Sequence, residues 1–378
     1  MTSSKCRLIE IAGVPYERGR QYGAQAQPEI RTGISHYSAQ VRDLQLGDGA
    51  LARVVAAYVP KIENFAPDYI EEMRGIAAGA DVSFHHIVML NARTEVLKLA
   101  VNKGLRDRLL DVEPDGCTAL VVEPKASAER RLIHAHNWDW KMESADASVV
   151  VRIRNDDKPD ILMFAEAGAL GRFGFNSVGI GVTANYLESD RDYREIGVPL
   201  ALIRRHALEQ TQFALALRSA YTTPKSGSNN MVLTHADGLV FNFECAPDET
   251  FLVEPRDGLL VHANHWQSPV ALSKLQERGL LTMPDSLYRE RRLRDLVQPK
   301  IGTLTVADVK AALLDDWASP WSICRPPRPS AMSNLSATVA TIVMQPAIGL
   351  MEVSLLPALD PTFTDYTLEM ESRAAVDA

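Results

Sequence analysis

The amino-acid sequence predicts an α+β fold in which two β-sheets are stacked between helical layers. Three observations support this prediction. The first 110 residues carry apolar positions at helix-like spacing. From residue 117 onward, short segments rich in apolar and β-branched residues alternate with polar turns, as in strands. Further helical segments lie between the two groups of strands and after them. Helices and sheets that each have one apolar face bury these faces against one another, which favours stacked layers.

The N-terminal part is predicted to be a helical segment. Helix-like apolar spacing is found in residues 16–45, 51–79 and 84–101. Pro60 and Pro67 are expected to break the second of these, because proline lacks the N–H group that an interior helical position requires. Residues 111–116 are polar and contain a proline, which is typical of a linker. We therefore expect a helical segment over 1–116 and a core domain over 117–378.

The core is predicted to be built mainly of strands. Strand-like composition is found at residues 117–123, 131–138, 147–154, 160–166, 173–184, 229–244, 250–265, 337–345 and 348–356. Helices are expected at residues 197–221, 284–297 and 305–316. In the last of these, Thr305 and Asp308 have the spacing of a capping box.

The mostly apolar segment 337–356 has nearly the length of a membrane helix. However, Gln345 and Pro346 divide it, and Glu352 interrupts its second half. Its first half is rich in β-branched residues, which favour strands. The sequence therefore predicts two strands joined by a turn, and no membrane partner.

Composition is that of a globular protein, with 46% hydrophobic and 23% charged residues among 378. Lys and Arg number 40 against 48 Asp and Glu, a net charge of −8, which disfavours nucleic acids and anionic membrane surfaces as partners. The four cysteines show no CxxC spacing, so neither a zinc knuckle nor a dense disulfide framework is indicated. The N-terminus has no secretory signal pattern, and we expect a cytoplasmic location.

Gly116 and Cys117 stand at the start of the first core strand, directly after the linker. If the bond between them is cut, Cys117 gains an α-amino group with an ordinary pKa of about 7.7–8.0, beside a thiol with one of about 8.5. Nucleophile and general base would then belong to one residue. The alternative is a buried structural cysteine, since cysteine is among the most buried residue types.

Several further motifs follow this cysteine in a fixed order. They are His136-Asn137-Trp138-Asp139, Glu166-Ala167-Gly168, Gly174-Phe175-Asn176-Ser177-Val178-Gly179, His262-Ala263-Asn264-His265 and Ser322-Ile323-Cys324-Arg325. Together with Gly116-Cys117-Thr118, they resemble the acyl-coenzyme A:6-aminopenicillanic acid acyltransferase family, a branch of the N-terminal-nucleophile (Ntn) hydrolases. The resemblance implies a four-layer αββα sandwich and self-cleavage before Cys117 into two fragments that remain associated. It also implies a small-molecule amide substrate and no cofactor.

The resemblance also implies roles for individual residues. Cys117 matches the family's nucleophile, and Asn264 matches an active-site asparagine suited to donate N–H to an oxyanion. Arg325 matches the active-site arginine. Asp139 matches a carboxylate that orients the new α-amine or pairs with an arginine, and a hairpin return is expected to bring it near Cys117. Without the resemblance, Asp139 and Arg325 would be interpreted as an exposed turn residue and a surface residue.

The chain departs from the family after the matching glutamate. There the acyltransferase has a serine implicated in processing or substrate handling, whereas this chain has Cys245. That part of the family's activity is therefore not implied for this chain.

The expected function is that of a self-processing amidohydrolase that cleaves a small N-acyl amine or N-acyl amino acid through a thioester on Cys117. The first alternative is acyl transfer, which shares the thioester but passes the acyl group from an acyl-CoA or amide donor to an amine. Hydrolysis is favoured because water needs no dedicated acceptor site.

A second alternative is a zinc-dependent hydrolase. His134 and His136 are expected on one face of a strand, because side chains alternate along it. With Asp139, His262 and His265, they would mix nitrogen and oxygen ligands as zinc sites do.

A third alternative is a non-catalytic small-molecule binder in which Cys117 stays uncut. The glycine-rich segment 168–174 lacks the order of known phosphate-binding motifs. It is predicted to form turns with close backbone packing.

Overall fold

The structure is a computed structural model that describes residues 5–43, 48–102, 116–329 and 334–371. The α-helices of this part of the chain are α1 Pro15–Gln25, α2 Gln27–Asp43, α3 Asp48–Phe65, α4 Pro67–Ala80, α5 Phe84–Asn91, α6 Arg93–Asn102, α7 Leu200–Leu208, α8 Phe213–Thr222, α9 Pro269–Leu272, α10 Asp285–Val297 and α11 Val306–Leu313.

The strands form two sheets. Sheet A has the order β1-β4-β5-β6-β7-β8-β9-β10. Its strands are β1 Arg7–Ala12, β4 Ser148–Arg154, β5 Ile161–Glu166, β6 Phe173–Asn176, β7 Ile180–Tyr186, β8 Asn229–His235, β9 Val240–Cys245 and β10 Thr250–Val253. Sheet B has the order β11-β2-β3-β13-β14-β15, and β12 pairs with β13 beside this path. Its strands are β2 Gly116–Val122, β3 Ile133–Lys141, β11 Leu259–His262, β12 Arg328–Pro329, β13 Leu335–Gln345, β14 Leu350–Leu355 and β15 Thr364–Thr367.

The side chains of β2 show how the layers stack. Leu120 and Val122 pack against apolar side chains of α10 and α11, which cover the outer face of sheet B. Ala119 and Val121, on the opposite face of the strand, pack against Val232 of sheet A. Helices α2, α7 and α8 contact the strands of sheet A from its other side. The fold is therefore the four-layer αββα sandwich that the sequence predicts.

The N-terminal segment is mostly helical, as predicted, but it also supplies a strand. β1 pairs in parallel with β4 and forms one edge of sheet A. Ile9 and Ile11 are buried on either side of the exposed Glu10. This alternation of buried and exposed residues is too short to predict a strand from the sequence. Pairing with β4 stabilises β1 in the fold.

Other predicted boundaries also differ in the structure. Pro60 lies inside α3 rather than ending it. Pro60 and Ala56, whose carbonyl group loses its helical partner, are both exposed. The predicted strand 173–184 is two strands, β6 and β7, separated by a turn at Gly179, whose φ of +93° favours glycine.

The predicted helix 197–221 is likewise divided, into α7 and α8. Asn176 stops α7, because its side-chain amide donates to the carbonyl oxygens of Leu208 (2.8 Å) and Gln210 (3.0 Å). These carbonyl groups lie where the helix ends and need partners from outside it. A tertiary hydrogen bond of this kind leaves no signal in the local sequence.

The apolar segment 337–356 forms an antiparallel pair of strands, β13 and β14, as predicted. Among the described residues, no helix is long and apolar enough to cross a membrane. The predicted capping box at the start of α11 is present, with Thr305 and Asp308 satisfying each other's backbone N–H groups.

Candidate active site

The strand pairing places Asp139 beside Cys117. β2 and β3 are antiparallel neighbours, with Cys117 opposite Trp138 and Gly116 opposite Asp139. The hairpin return expected from the sequence is therefore present. Cys117 has the same strand parity as Ala119 and Val121, so its side chain is on the face of sheet B that points toward sheet A. The residue is buried, as is every cysteine of this chain.

Asn264 contacts the backbone of Cys117. It follows β11, which pairs with β2, and so lies next to the start of that strand. The Cys117 N–H group donates to Asn264 Oδ1 at 2.8 Å. Asn264 Nδ2 donates to the carbonyl oxygen of Tyr186 at 3.0 Å, which uses one of its two amide hydrogens. In the intact chain this Cys117 nitrogen belongs to the Gly116–Cys117 peptide bond, and after cleavage it would be the α-amine.

Arg289 of α10 is a member of the site that the sequence did not reveal. It is fully buried, and its Nη1 donates to the carbonyl oxygen of Cys117 (2.7 Å) and to Thr118 Oγ1 (2.8 Å). Its Nη2 donates to Asn264 Oδ1 at 2.9 Å. Because Asn264 Oδ1 accepts from two donors, the orientation of the amide is fixed, with its oxygen toward Cys117.

Arg289 also belongs to a chain of alternating charges. Asp285 Oδ2 accepts from Arg289 Nε at 2.8 Å and also from Arg325 Nη2. Arg325 Nε lies 3.4 Å from Asp139 Oδ2, so the two carboxylates and two guanidiniums alternate. Burial favours a raised pKa for Asp285, but the Arg289 and Arg325 guanidiniums outweigh it and hold that pKa below its ordinary value.

Neighbouring hydrogen bonds position the Asp139–Arg325 pair. Thr338 of β13 donates from its hydroxyl to Asp139 Oδ1 at 2.6 Å and accepts from the Arg325 backbone N–H group at 2.8 Å. Asn137 donates to the Ile323 carbonyl oxygen at 3.1 Å, which attaches the segment before Arg325 to sheet B. Strands β3 and β13 therefore determine where the arginine lies.

Position 116 requires glycine for a steric reason. A Cβ atom there would lie 2.9 Å from Asp139 Oδ2, a distance that real Cβ atoms almost never show, and 3.0 Å from Asp139 Cβ, which is tighter than most real Cβ contacts. The same Cβ would be 3.1 Å from Arg325 Nη1. The absence of a side chain thus lets the Gly116–Cys117 peptide bond approach the Asp139–Arg325 pair.

Cys117 lines a pocket bounded by sheet A, α6 and α7, which we call the Cys117 pocket. The space within it amounts to about 610 Å³, a figure that includes space open to solvent. The polar and charged groups of its wall include Arg93, Glu166, Arg172, Asn185 and Arg204. Asn185 donates to the carbonyl oxygens of His262 (2.9 Å) and Ala263 (2.8 Å), and so holds the segment that leads to Asn264.

The structure does not bring the proposed zinc ligands together. His134 and His136 share a face of β3, as predicted, but Asp139 has the opposite parity. Both ring nitrogens of His134 bond to hydroxyl groups, those of Thr183 and Thr234. Among the described residues, no group of three or more His, Cys, Asp or Glu side chains could hold a metal ion.

The two remaining histidines of that set have other partners. His262 Nε2 lies 2.8 Å from Glu244 Oε1, and His265 Nδ1 lies 2.8 Å from Ser286 Oγ. Burial, with smaller contributions from the nearby His262 and Arg289, lowers the pKa of His265 to about 3. Its imidazole is therefore neutral at physiological pH.

Cys245 and the glycine-rich segment have the structures expected of them. Cys245 is buried at the end of β9, with its Sγ 3.8 Å from the Phe243 carbonyl oxygen. Residues 168–172 form a turn and bends as predicted, whereas Phe173 and Gly174 already belong to β6, and the backbone packs closely throughout. A Cβ on Gly171 would lie 2.4 Å from the Ala201 carbonyl oxygen, and one on Gly174 would lie 2.3 Å from that of Leu162.

Comparisons with known proteins agree with this architecture. The family model described as acyl-coenzyme A:6-aminopenicillanic acid acyl-transferase matches residues 126–355, more than half of the chain. The chain is 28% identical over 323 residues to the acyl-coenzyme A:6-aminopenicillanic-acid-acyltransferase 40 kDa form of Emericella nidulans, covering 84% of each chain.

Two solved structures are similar at lower identity. One is an N-acylethanolamine-hydrolyzing acid amidase ortholog from Caenorhabditis elegans, with a TM-score of 0.45 and 14% identity, covering 67% of this chain and 100% of that one. The other is a conjugated bile acid hydrolase from Clostridium perfringens, with a TM-score of 0.46 and 11% identity, covering 68% and 93%.

Two sheets are stacked between helical layers, and the side chain of a cysteine at the start of one strand points toward the other sheet. This arrangement is that of the Ntn-hydrolase class. Within that class, the family match over residues 126–355 decides the assignment. The chain belongs to the acyl-coenzyme A:6-aminopenicillanic acid acyltransferase family.

The four thiols are expected to differ in reactivity. Burial raises the pKa of Cys6 and Cys245, and raises that of Cys324 to about 12, so at pH 8 these three thiols carry little reactive thiolate. Cys117 lines the pocket. We predict that substoichiometric iodoacetamide at pH 8 alkylates Cys117 first, as measured by peptide mass spectrometry of the native protein. Faster labelling of Cys245 or Cys324 would contradict this.

Proposed function

We propose that this chain is a self-processing amidohydrolase that cleaves small N-acyl amines or N-acyl amino acids through a thioester on Cys117. The observation that carries the proposal is the hydrogen bond from the Cys117 nitrogen to Asn264 Oδ1, at 2.8 Å, beside the pocket that Cys117 lines. This bond holds the atom that would become the α-amine, so general base and nucleophile would be oriented together.

Processing would begin with attack of the Cys117 thiol on the carbonyl carbon of Gly116. The C–N bond breaks, a C–S bond forms, and the nitrogen takes the thiol proton to become an amine. Water then hydrolyses the thioester, giving a carboxyl group on Gly116 and restoring the Cys117 thiol. The Asp139–Arg325 pair borders this bond, and the lack of a side chain at Gly116 permits their approach.

The fragments 1–116 and 117–378 would stay associated after the cut. β1 of the first fragment is an edge strand of sheet A, paired with β4 of the second. Across the same boundary, Arg93 pairs with the buried Glu166 at 2.6 Å. These contacts do not involve the Gly116–Cys117 bond, so its cleavage leaves them intact.

Turnover of a substrate would repeat the same chemistry on an external amide. The Cys117 amine takes the thiol proton, the thiolate attacks the substrate carbonyl carbon, and the proton passes to the leaving amine. Asn264 Oδ1 holds the Cys117 nitrogen, while Arg289 keeps the amide in that orientation. Asn264 Nδ2 is the donor that we assign to the oxyanion.

Hydrolysis and acyl transfer differ only in what resolves the thioester. The curated relative is an acyltransferase by name, so transfer is the second candidate function. We favour hydrolysis, since transfer requires a site that binds an amine and excludes water. The deciding experiment follows product release from simple N-acyl amines and N-acyl amino acids, with and without a second amine. Release of free acid at a rate that added amine does not change supports hydrolysis, whereas quantitative capture of the acyl group by the amine supports transfer.

The first prediction from this proposal concerns processing. Freshly purified protein is expected to consist of fragments 1–116 and 117–378, detected by denaturing gel and intact-mass analysis. Cys117→Ala should remain one folded chain without activity, because it lacks the attacking sulfur atom. Cys6→Ala, which removes another buried thiol, should still be cut. A wild-type chain that stays full-length for days at neutral pH would rule out self-processing.

The second prediction concerns Asn264. Asn264→Ala, studied as protein confirmed to be cut, is expected to lose about 10²–10³-fold in kcat, the usual effect of removing one oxyanion donor. KM should change little, because the donor acts where negative charge develops in the transition state. Iodoacetamide should still alkylate Cys117 before the other three thiols, because these stay buried only while the fold persists.

The control for this variant is Asn155→Ala, which removes an amide that donates to the Pro159 carbonyl oxygen outside the Cys117 pocket. Its kcat should match that of the wild type. An Asn264→Ala variant with full kcat would show that the oxyanion is held by other groups.

A further inference from the structure

Asn229 is a buried asparagine in the wall of the Cys117 pocket, and the site described above does not use it. It is the first residue of β8, and 1% of its surface is exposed. Among the residues that the structure describes, none forms a hydrogen bond with its side-chain oxygen or its side-chain nitrogen. Buried polar groups without a protein partner are rare in folded proteins, so this amide requires an explanation.

The side chains that flank Asn229 direct their polar groups elsewhere. In the strand register, Tyr186 of β7 lies opposite Asn229 on one side and Cys245 of β9 on the other. Opposite residues of antiparallel strands have their side chains on the same face of the sheet. The Tyr186 hydroxyl donates to Glu188 at 3.0 Å, and Cys245 Sγ lies 3.8 Å from the Phe243 carbonyl oxygen. Neither flanking side chain therefore serves the Asn229 amide.

Asn176 shows what a structural asparagine of the same sheet does. Its Nδ2 donates to the carbonyl oxygens of Leu208 and Gln210, and its Oδ1 accepts from the Ile180 backbone N–H group at 2.8 Å. It is fully buried, and its amide joins β6 to the end of α7 and to the start of β7. The Asn229 side chain makes no such connection, so its polarity does not serve the fold in this way.

The strand pairing also places Asn229 close to the reacting groups. Asn264, whose Oδ1 holds the Cys117 nitrogen, donates from its Nδ2 to the Tyr186 carbonyl oxygen at 3.0 Å. Tyr186 is the register partner of Asn229, and paired strands lie about 4.8 Å apart. A substrate held at Cys117 and Asn264 therefore needs only a few bonds beyond its scissile carbonyl group to reach Asn229.

The chemistry of the asparagine side chain indicates which group it would bind. A side-chain amide carries N–H donors and a carbonyl acceptor next to each other. A carboxamide on the ligand carries the same two groups, so the two amides can exchange two hydrogen bonds at once. A carboxylate cannot donate to Asn229 Oδ1, and an ammonium group cannot accept from Asn229 Nδ2. An apolar group leaves both ends of the amide unpaired, which a buried polar site disfavours.

We infer that Asn229 recognises a second carboxamide on the substrate, in addition to the amide that Cys117 attacks. The inference rests on the proposed function, and it narrows the substrates to amides that carry a carboxamide a few bonds from the scissile one. This carboxamide can belong to the amine half, as in an N-acyl amino acid amide. It can also belong to the acyl half, as in a diamide of a dicarboxylic acid.

Two pairs of substrates of matched shape distinguish these halves. N-Hexanoylglycinamide against N-isobutylhexanamide tests the amine half, with release of hexanoate as the readout. N-Butylsuccinamide against N-butyl-4-methylpentanamide tests the acyl half, with release of butylamine. In one of the two pairs, the carboxamide is expected to have a kcat/KM at least about tenfold higher, the combined effect of two neutral hydrogen bonds. Equal values within both pairs would overturn the inference.

Asn229→Leu tests the residue assignment, because leucine has the same number and branching of side-chain heavy atoms but no polar group. This variant should lower kcat/KM for the carboxamide to the value of its apolar partner, and turnover of that partner should stay at the wild-type value. The Tm should be unchanged or higher, because the substitution removes an unpaired buried polar group and no hydrogen bond within the protein.

Asn176→Leu is the matched control for stability. It removes an amide of the same sheet that is equally buried but has three protein partners, and it should lower the Tm. If Asn229→Leu lowers the Tm as this control does, and lowers turnover of both members of a pair equally, then Asn229 has a structural role and the assignment is wrong.

Failure of the proposed function can be recognised separately. If the wild-type protein turns over none of the four compounds, calorimetric binding of each pair to that same protein decides the inference. Tighter binding of a carboxamide than of its apolar partner, lost in Asn229→Leu, would support carboxamide recognition without amide hydrolysis. Equal or undetectable binding within both pairs would overturn it.

Discussion

The site depends on one hydrogen bond, from the Cys117 nitrogen to Asn264 Oδ1. Three elements must meet to form it: the start of β2, the segment after β11, and α10. The pairing of β11 with β2 places Asn264 beside Cys117. Arg289 then determines which end of the Asn264 amide faces the cysteine. Because Arg289 also donates to the Cys117 carbonyl oxygen, a single buried guanidinium positions both residues.

A buried guanidinium is stable only where carboxylates and carbonyl groups satisfy it, since an unpaired buried charge costs several kcal/mol. Here Asp285 pairs with the guanidiniums of both Arg289 and Arg325, and Arg325 also pairs with Asp139. The alternating charges join α10 to sheet B, and Thr338 attaches their far end to β13. Charge balance therefore links the peptide bond before Cys117 to Asp139 on the neighbouring strand β3 and to Arg289 on α10.

The sequence predicted the parts of this arrangement that local patterns determine. The layer order, most strands and the proximity of Asp139 to Cys117 followed from apolar periodicity and a hairpin. Arg289 could not be found in this way, because α10 contains four arginines and helical spacing does not show which one is buried. The sequence offers one signal for Arg289, the presence of Asp285 four residues earlier. Several ion pairs at the surface have the same spacing, so this signal does not single out Arg289. The strand β1 and the continuation of α3 through Pro60 also depend on tertiary contacts or exposure rather than on local propensity.

The most direct test of the account is to trap the covalent intermediate. During steady-state turnover of an N-acyl substrate, rapid acid quenching followed by peptide mass spectrometry should find the acyl mass on the peptide that begins at Cys117. Neutral hydroxylamine should remove it, because a thioester is cleaved under conditions in which an amide is not. An active enzyme with no acyl group on that peptide, or with the acyl group on another residue, would contradict the account.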